Sequence, residues 1–246
     1  MNAPFRLCAV VPTYDNPRTV RDVVTRLREH VADVFVVDDG SGPEGRAACE
    51  RLQRDGLAQV LHHAHNRGKG AAVKTGLAAA AARGFTHVFQ VDADGQHDLA
   101  SAPAFVAAAR ARPDALVLGY PIYDDTAPNA RKTARKVTKF WVDVETGKGT
   151  ITDALIGCRV YPVAAALASG TRGNRMDFDV EIAVRMARRG VPVVNLPVRV
   201  RYLTADEGGI SHFRPVRDIV ALSWMHSRIC TGISVRWTLR RLGLAR

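Results

Sequence analysis

Short runs of β-branched and apolar residues alternate with longer amphipathic or alanine-rich stretches through the first half of the chain. Strands that alternate with helices of this length are typical of a mostly parallel sheet covered by helices. We predict strands at 7–11, 34–37, 59–62, 87–91 and 115–118 with helices between them, then a helix at 179–189 and a strand-like segment at 191–200. The first helix is expected to begin at Asn16 and Pro17, a capping side chain followed by a proline. The alternation therefore predicts an α/β fold with a Rossmann-like sheet flanked by helices.

Composition places the chain among ordinary globular proteins. Of its 246 residues, 47% are hydrophobic and 24% are charged, which excludes a disordered or coiled-coil chain. No apolar run approaches the roughly 20 residues needed to span a bilayer, and the N-terminus lacks the pattern of a secretory signal. The four cysteines are too widely spaced for a CxxC pair or a zinc framework. We therefore expect a cytoplasmic protein with reduced cysteines.

The chain is strongly basic. Lys and Arg total 35 against 24 acidic residues, and the formal net charge of +11 predicts attraction to nucleic acid, anionic lipid or nucleotide phosphates. Two segments concentrate this charge: 131–139, which is either a basic face or a solvated surface, and the C-terminal segment 215–246. The second segment has apolar residues at helical spacing, and this stripe predicts a helix that lies either on an anionic membrane surface or against the domain. The stripe consists of Leu222, Met225, Ile229, Ile233 and Trp237.

Polar or small residues follow four of the predicted strands, at the point where each strand ends. They are Pro12, Thr13 and Tyr14 after the first strand, Asp38 and Asp39 after the second, 66–70 after the third, and Asp92, Ala93, Asp94 and Gln96 after the fourth. Ligands bind beyond the carboxyl ends of parallel strands, so we expect these residues to form one site. Segment 66–70 lacks the spacing of a Walker loop, but it places Lys69 at a helix N-terminus, where anions are favoured.

Two pairs of acids dominate that edge of the predicted sheet. Asp38 and Asp39 are adjacent, and adjacent carboxylates repel unless a cation or hydrogen-bond donors, such as those of a nucleoside, engage them. Asp92 and Asp94 flank one small residue, and their oxygens, with Gln96 or His97, suit a hard divalent cation. The alternative for either pair is a local turn in which an Asp caps backbone amides. Alternation along a strand divides the nearby histidines between its faces, so we expect surface or core roles for His62, His63 and His65.

Taken together, these motifs resemble glycosyltransferase family 2, whose members have an A-type nucleotide-sugar-binding fold. The resemblance covers most of the chain and rests on segments 12–14, 37–41, 66–70 and 92–97, in the family's order and spacing. Segment 157–161, Gly-Cys-Arg-Val-Tyr, is similar to one in the dolichol-phosphate mannosyltransferase-like branch. Segment 176–181 falls where the family has an acidic acceptor-side motif, and 199–213 is similar to a late segment that reaches the diphosphate or the acceptor.

The resemblance implies a metal-dependent enzyme that takes a sugar from a nucleotide-diphospho-sugar and transfers it with inversion. Asp39, helped by Thr13 and Asp38, would hold the base and ribose of the donor, and Lys69 would lie near the diphosphate. The implied donor-binding residues are Pro12, Thr13, Tyr14, Asp38, Asp39, Lys69, Asp92, Ala93, Asp94 and His212. The implied ligands of Mg²⁺ or Mn²⁺ are Asp92, Asp94 and Gln96, and the implied catalytic residues are Asp179, Asp177, Glu181 and Arg201.

The resemblance leaves the acceptor open between two chemistries. A hydroxyl acceptor would need Asp179 as a general base, whereas a lipid phosphate is already ionised and would leave Asp179 a positioning role. The basic segments favour a lipid or lipid-linked acceptor at the inner face of the membrane. We expect a catalytic domain at 1–214, with a nucleotide-sugar half at 1–119 and an acceptor half at 120–214, and a basic amphipathic helical segment at 215–246.

Two other functions fit parts of the sequence. A nucleotidyltransferase that makes nucleotide sugars would share a nucleotide-binding fold, but it would not account for the acids at 177–181. A nucleic-acid-binding protein would fit the charge, but the chain lacks a recognised reading motif and the interleaved surface aromatics expected for base stacking. We therefore predict a glycosyltransferase.

Overall fold

The computed structural model describes residues 4–123, 129–201, 220 and 222–231, with 129–134 described by their backbone alone. Seven strands form one sheet in these ranges, in the order β3-β2-β1-β4-β6-β5-β7. The strands are β1 (Leu7–Thr13), β2 (Val34–Asp38), β3 (Gln59–His62), β4 (His87–Gln90), β5 (Leu116–Tyr123), β6 (Arg159–Pro162) and β7 (Val193–Val200). The helices are α1 (Val20–Arg28), α2 (Pro43–Arg54), α3 (Lys69–Ala82), α4 (Ala102–Ala111), α5 (Asn129–Thr146), α6 (Val163–Ala168), α7 (Asp177–Arg188) and α8 (222–231).

The order of the strands places a ligand-binding crevice at a known point of the sheet. β1 pairs in parallel with both β2 and β4, and β2 pairs in parallel with β3. The chain runs outward from β1 to β3 and then returns to the other side of β1 as β4. Such a switch point opens a crevice at the carboxyl ends of the strands. The predicted mostly parallel α/β sheet is confirmed, with β6 as an antiparallel strand between β4 and β5.

Helices cover both faces of the sheet. Cys8 and Val10 of β1 face a core that includes residues of α3, α7 and α8, whereas Ala9 and Val11 face a core that includes residues of α1, α2 and α4. Strands that are buried on both faces read as continuous apolar runs, which is why the sequence pattern was visible in β1, β2 and β4.

The structure corrects two local expectations and decides a third. Residues 17–19 form a turn, and α1 begins at Val20, because the Asn16 carbonyl accepts hydrogen bonds from the amides of both Thr19 and Val20. β5 continues to Tyr123, since it pairs with β7 along its whole length. In α8, Met225 and Ile229 are buried in the core, so this part of the C-terminal apolar stripe packs against the domain, which is one of the two alternatives that the sequence left open.

None of the helices in the described ranges is long and apolar enough to cross a membrane.

The sheet takes strands from both of the predicted halves, 1–119 and 120–214. Three residues named in the sequence analysis, His212, Ile233 and Trp237, lie outside the described residues.

Candidate active site at the carboxyl edge of the sheet

Asp39 anchors the loop that opens α3. One carboxylate oxygen accepts hydrogen bonds from the Arg67 amide at 2.9 Å and from the His63 ring at 2.7 Å, and the other accepts from the Gly68 amide at 2.7 Å. Gly68 has a φ of +102°, and a side chain there would meet the Asn174 carbonyl at 2.4 Å. The buried carboxylate therefore fixes a glycine turn that sets the position of the next residue, Lys69.

Asp38 is held in a similar way by protein groups. Its oxygens accept from the Ser41 amide at 2.9 Å and lie 2.8 Å from Nδ1 of His62. Burial alone would raise the pKa of Asp38, but the hydrogen bonds from Ser41 and His62 outweigh burial and lower it. The Asp39 amide donates to the Thr13 carbonyl at 2.8 Å, which ties the ends of β1 and β2 together.

His62 and His63 contact the two adjacent aspartates, which strand alternation did not predict. His62 is exposed and His63 is buried, in line with the expected surface and core roles, and Nε2 of His63 also contacts the Thr75 hydroxyl at 3.0 Å. The cause is register, because β2 and β3 pair Asp38 with His62. Two adjacent histidines on the strand beside two adjacent aspartates were the available signal.

Lys69 joins two of the predicted site acids. Its ammonium lies 2.7 and 2.8 Å from the two oxygens of Asp92 and 2.7 Å from Oδ2 of Asp179. Burial would lower the pKa of Lys69, but the charges of Asp179 and Asp92 outweigh burial and raise it. The side chain is therefore a fixed positive charge between the end of β4 and the first turn of α7.

Asp92 and Asp94 differ in their electrostatic balance. Burial would raise the pKa of Asp92, but the positive charges of Lys69, His97 and Arg159 lower it. The pKa of Asp94 is raised by burial and then by the negative charge of Asp92, and one of its oxygens accepts a hydrogen bond from the Gln96 amide at 3.0 Å. Oδ1 of Asp92 is buried, and in the described residues its close cation contact is the Lys69 ammonium at 2.7 Å.

These two carboxylates fit a partial shell for a hard divalent cation. Their oxygens are of the ligand type that Mg²⁺ and Mn²⁺ prefer, and Asp94 carries negative charge that its surroundings disfavour. Among the described residues, no group of three or more His, Cys, Asp or Glu side chains is arranged to hold a metal. Further oxygens would therefore have to come from a bound ligand such as a diphosphate.

Gly157 is a second residue whose role the sequence did not explain. A Cβ atom at this position would lie 2.0 Å from the Asp92 carboxylate, so any larger residue would displace that group. The resemblance marked Gly157 only as part of a segment, and the physical reason for it is space for Asp92.

Asp179 lies in a buried polar network at the start of α7. Its Oδ1 accepts a hydrogen bond from Nε2 of the Gln90 side chain at 3.3 Å. The Tyr161 hydroxyl donates to Oε1 of the same side chain at 2.8 Å. The fully buried Arg159 donates to the Asp179 carbonyl at 2.8 Å and lies 3.8 Å from its carboxylate. Both carboxylate oxygens of Asp179 are therefore already engaged by donors.

The two acids that flank Asp179 have different neighbours. Glu181 is buried, accepts from the amides of Arg172 and Gly173 at 3.0 and 2.6 Å, and pairs with Arg185 at 2.8 Å. Asp177 accepts from the Arg175 amide at 3.1 Å. Their contacts hold the 172–175 segment, and the structure does not bring either carboxylate to Lys69.

The remaining predicted residues fall around the same edge. The Arg201 backbone amide donates to the Gln96 carbonyl at 3.0 Å, which ties the residue after β7 to the loop that carries Asp94. Pro12 is buried in β1 opposite Val37, and the Tyr14 amide donates to Asn16 at 3.4 Å. The Ala93 carbonyl accepts from the Thr19 hydroxyl at 2.6 Å, which connects α1 to the Asp92–Asp94 loop.

A parallel sheet with acids gathered at the switch point beside β1 defines the nucleotide-binding class of α/β enzymes. Residues 8–167 match the model of the family described as Glycosyl transferase family 2. The chain belongs to this family and is a glycosyltransferase, as the motifs led us to expect.

Curated relatives fall in the branch that the 157–161 segment resembled. An undecaprenyl-phosphate mannosyltransferase of Micrococcus luteus is 28% identical over 205 residues, covering 79% of this chain and 83% of the relative. A polyprenol monophosphomannose synthase of Mycolicibacterium smegmatis is 26% identical over 221 residues, covering 84% of this chain and 80% of the relative.

Solved structures share the fold at lower identity. Glucosyl-3-phosphoglycerate synthase of Mycobacterium tuberculosis, solved with Mn²⁺ and UDP-glucose, has a TM-score of 0.68 and 17% identity, covering 99% of this chain and 81% of that chain. The same synthase solved with Mn²⁺, UDP and glucosyl-3-phosphoglycerate has a TM-score of 0.67 and 18% identity, covering 99% and 82%. The likeness confirms the predicted A-type glycosyltransferase fold.

Proposed function

We propose that this glycosyltransferase moves a sugar from a nucleotide-diphospho-sugar to a polyprenyl phosphate. The observation that carries the proposal is the Lys69 bridge, which joins Asp92 on the donor side to Asp179 on the acceptor side. The names of two relatives, an undecaprenyl-phosphate mannosyltransferase and a polyprenol monophosphomannose synthase, support a lipid phosphate as the acceptor.

We place the nucleotide at the ends of β1 and β2. Pro12, Thr13 and Tyr14 line one side, and Asp38 and Asp39 the other. Because the carboxylate of Asp39 is already occupied by three protein donors, it acts on the donor mainly by holding the 66–70 loop. That loop presents Lys69 and the N-terminus of α3, two positive features suited to a diphosphate.

Asp92 and Asp94, with Gln96 beside them, are the residues that would hold Mg²⁺ or Mn²⁺. Burial and the nearby Asp92 raise the pKa of Asp94, so a cation beside its carboxylate would be favoured, which supports this proposal. Related folds solved with Mn²⁺ and a uridine nucleotide support it as well. A bound cation would neutralise the charge that develops on the departing nucleoside diphosphate. Lys69 supplies a second positive charge at the same end of the site.

The acceptor needs alignment more than activation in this proposal. A polyprenyl phosphate brings an ionised oxygen, which bonds to the anomeric carbon as the bond from that carbon to the diphosphate breaks, with inversion. Asp179 already accepts from Lys69 and Gln90, so we assign it a positioning role. Lys69 and Arg159 balance its charge and reduce repulsion of an anionic acceptor.

We further propose that the enzyme works at the inner face of the membrane, in peripheral contact with anionic lipid. A polyprenyl phosphate acceptor is held in the bilayer with its phosphate at the surface. The net charge of +11 favours approach to an anionic leaflet.

Transfer to a matched pair of acceptors tests the proposal. The purified protein with Mn²⁺ is incubated with UDP-, GDP- and dTDP-sugars and with either undecaprenyl phosphate or undecaprenol in detergent, and products are identified by mass spectrometry. We expect transfer to the phosphate and none to the alcohol. Transfer only to a soluble hydroxyl acceptor such as phosphoglycerate would overturn the proposal. Release of pyrophosphate from a nucleoside triphosphate and a sugar phosphate would instead identify a nucleotidyltransferase.

A further inference from the structure

Helix α5 carries apolar residues on two opposite faces. Its inner face buries Val142 in the core beneath it. Its outer face has large apolar side chains at i, i+3, i+4 and i+7, the spacing of a single helical stripe. This α5 stripe consists of Val137, Phe140, Trp141 and Val144, which are 58%, 61%, 40% and 56% exposed.

The stripe is held rigidly on the domain by its neighbour α8. The carboxylate of Glu145 lies 3.0 and 3.1 Å from Nδ1 of His226, and the rings of Trp141 and His226 stack with centroids 6.0 Å apart. α8 buries Met225 and exposes Trp224. Among the described residues of this region, the outward apolar surface therefore comes from α5, Trp224 and Val220, while Met225 and Ile229 of α8 face the core.

The charge on α5 suits an anionic surface. The helix carries five basic residues against Asp143 and Glu145. Asp143 is paired with Lys139, and Glu145 is buried against His226. An apolar stripe with interfacial aromatics, on a helix rich in Lys and Arg, is the pattern of helices that lie in the plane of a membrane surface. The basic residues of the helix are Arg131, Lys132, Arg135, Lys136 and Lys139.

Helix α5 is also connected to the candidate site. α5 packs against α7, which carries Asp179 in its first turn. Arg135 forms an ion pair with Asp153, and the Asp153 carboxylate accepts from the Ile156 amide at 2.8 Å, one residue before the Gly157 that makes room for Asp92. α5 is therefore linked by direct contacts both to the helix that carries Asp179 and to the segment beside Asp92.

We propose that the α5 stripe is the surface through which the protein docks on an anionic bilayer, with Phe140 and Trp141 inserted at headgroup depth. The inference rests on the proposed lipid-phosphate acceptor for its biological meaning. It assigns the membrane contact to the outer face of α5, the helix that contains the basic segment 131–139.

Vesicle co-sedimentation of the full chain tests this surface without any catalytic step. The triple variant Val137→Ser, Phe140→Ser, Val144→Ser is compared with Leu167→Ser, which changes an exposed leucine on α6. With vesicles of phosphatidylcholine and phosphatidylglycerol, we expect the triple variant to bind about tenfold more weakly and Leu167→Ser to bind as the wild type does. Binding to phosphatidylcholine alone should be weak for all three proteins.

Two measurements keep the outcome decisive. Calorimetric binding of a nucleoside diphosphate shows that the triple variant keeps its site, and the single change Phe140→Ser replaces it if the triple variant does not fold. Unchanged binding of the folded variant to anionic vesicles would overturn the proposal, as would a wild-type dimer in light scattering that the substitutions convert to monomer. If the wild-type protein does not transfer sugar to polyprenyl phosphate in detergent, the proposed acceptor is refuted. The vesicle measurement would still test the membrane surface.

Discussion

Asp38 and Asp39 end β2 among protein donors, whereas Asp92 and Asp94 follow β4 with a lysine and one backbone amide as their close partners. The first pair is engaged by Ser41, two histidines and the amides of the loop before α3. In the second pair Asp92 contacts the Lys69 ammonium and Asp94 accepts from the Gln96 backbone amide, and the pKa of Asp94 is raised by burial and by the negative charge of Asp92.

The difference separates two uses of the same side chain. A carboxylate whose oxygens are all engaged by fixed protein donors stabilises the fold and positions its partners. A carboxylate that is buried beside another carboxylate, without enough donors, favours a cation or a proton. We therefore assign the first pair mainly to architecture and the second to ligand chemistry, although the two share one edge of the sheet.

The largest effect that we predict comes from the pair that follows β4, Asp92 and Asp94. Asp94→Ala removes a charged oxygen ligand, and loss of several kcal/mol of electrostatic stabilisation corresponds to a fall in turnover of about 10³ or more. The measurement is the transfer rate across a Mn²⁺ titration, with circular dichroism to check the fold. Asp114→Asn changes an exposed acid and serves as the control. A rate equal to wild type at every Mn²⁺ concentration would remove Asp94 from the metal site.

Substitution in the Asp38 and Asp39 pair should lower the free energy of unfolding. Asp39→Asn places an amide against the Arg67 and Gly68 donors, and loss of charged hydrogen bonds in a buried site costs about 2–3 kcal/mol. We expect a lower urea midpoint with an unchanged slope, and weaker binding of a nucleoside diphosphate in calorimetry because the Lys69 loop loses its anchor. A variant with wild-type stability and weakened nucleotide binding would show instead that Asp39 acts by touching the ligand.

His63 should reproduce part of that loss. His63→Ala removes the contacts with Asp39 and Thr75 and should cost about 1–2 kcal/mol. His63→Asn can keep a donor near the Nδ1 position and should recover part of both stability and nucleotide affinity. Equal behaviour of the two variants in urea unfolding and calorimetry would contradict a positioning role.

Much of the fold was predictable because three parallel strands, β1, β2 and β4, are buried on both faces and leave continuous apolar runs. β6 was not predicted, because it is short, begins with the buried Arg159, and owes its antiparallel placement to pairing with β4 and β5. α5 was hidden as well, since its basic residues and the polar stretch before it read as surface.

The site was predictable in its residues and less so in their roles. Strand ends identified the acids and Lys69, because parallel strands share one carboxyl edge. The contacts of His62 and His63 depend on the register of β3 against β2, and the need for Gly157 depends on a close approach to Asp92. Both are tertiary facts that local sequence does not encode.

A pH experiment sharpens the contrast within the second pair. Since burial and the negative charge of Asp92 raise the pKa of Asp94, the stability linked to this group is present at low pH and is lost as the pH rises through that raised pKa. Asp94→Asn should therefore unfold at a higher temperature than wild type at neutral pH without metal, and the difference should shrink in acid. A variant that is less stable than wild type at neutral pH would contradict the inference that the ionised Asp94 carboxylate destabilises the fold.

The smallest effect that we predict is at Asp179. Donors engage both of its carboxylate oxygens, as they do for Asp38 and Asp39, but it lies in the candidate site beside Lys69. Asp179→Asn keeps an acceptor for Lys69 or Gln90 and removes one negative charge. With undecaprenyl phosphate as acceptor, single-turnover rates should fall by less than about tenfold and keep the wild-type pH profile, because the attacking oxygen is already ionised. A general base would instead be worth about 10²–10⁴ in rate and would give an ascending limb that the variant loses. That second result would return the acceptor to a hydroxyl and would show that the Lys69 bridge opens to free the carboxylate.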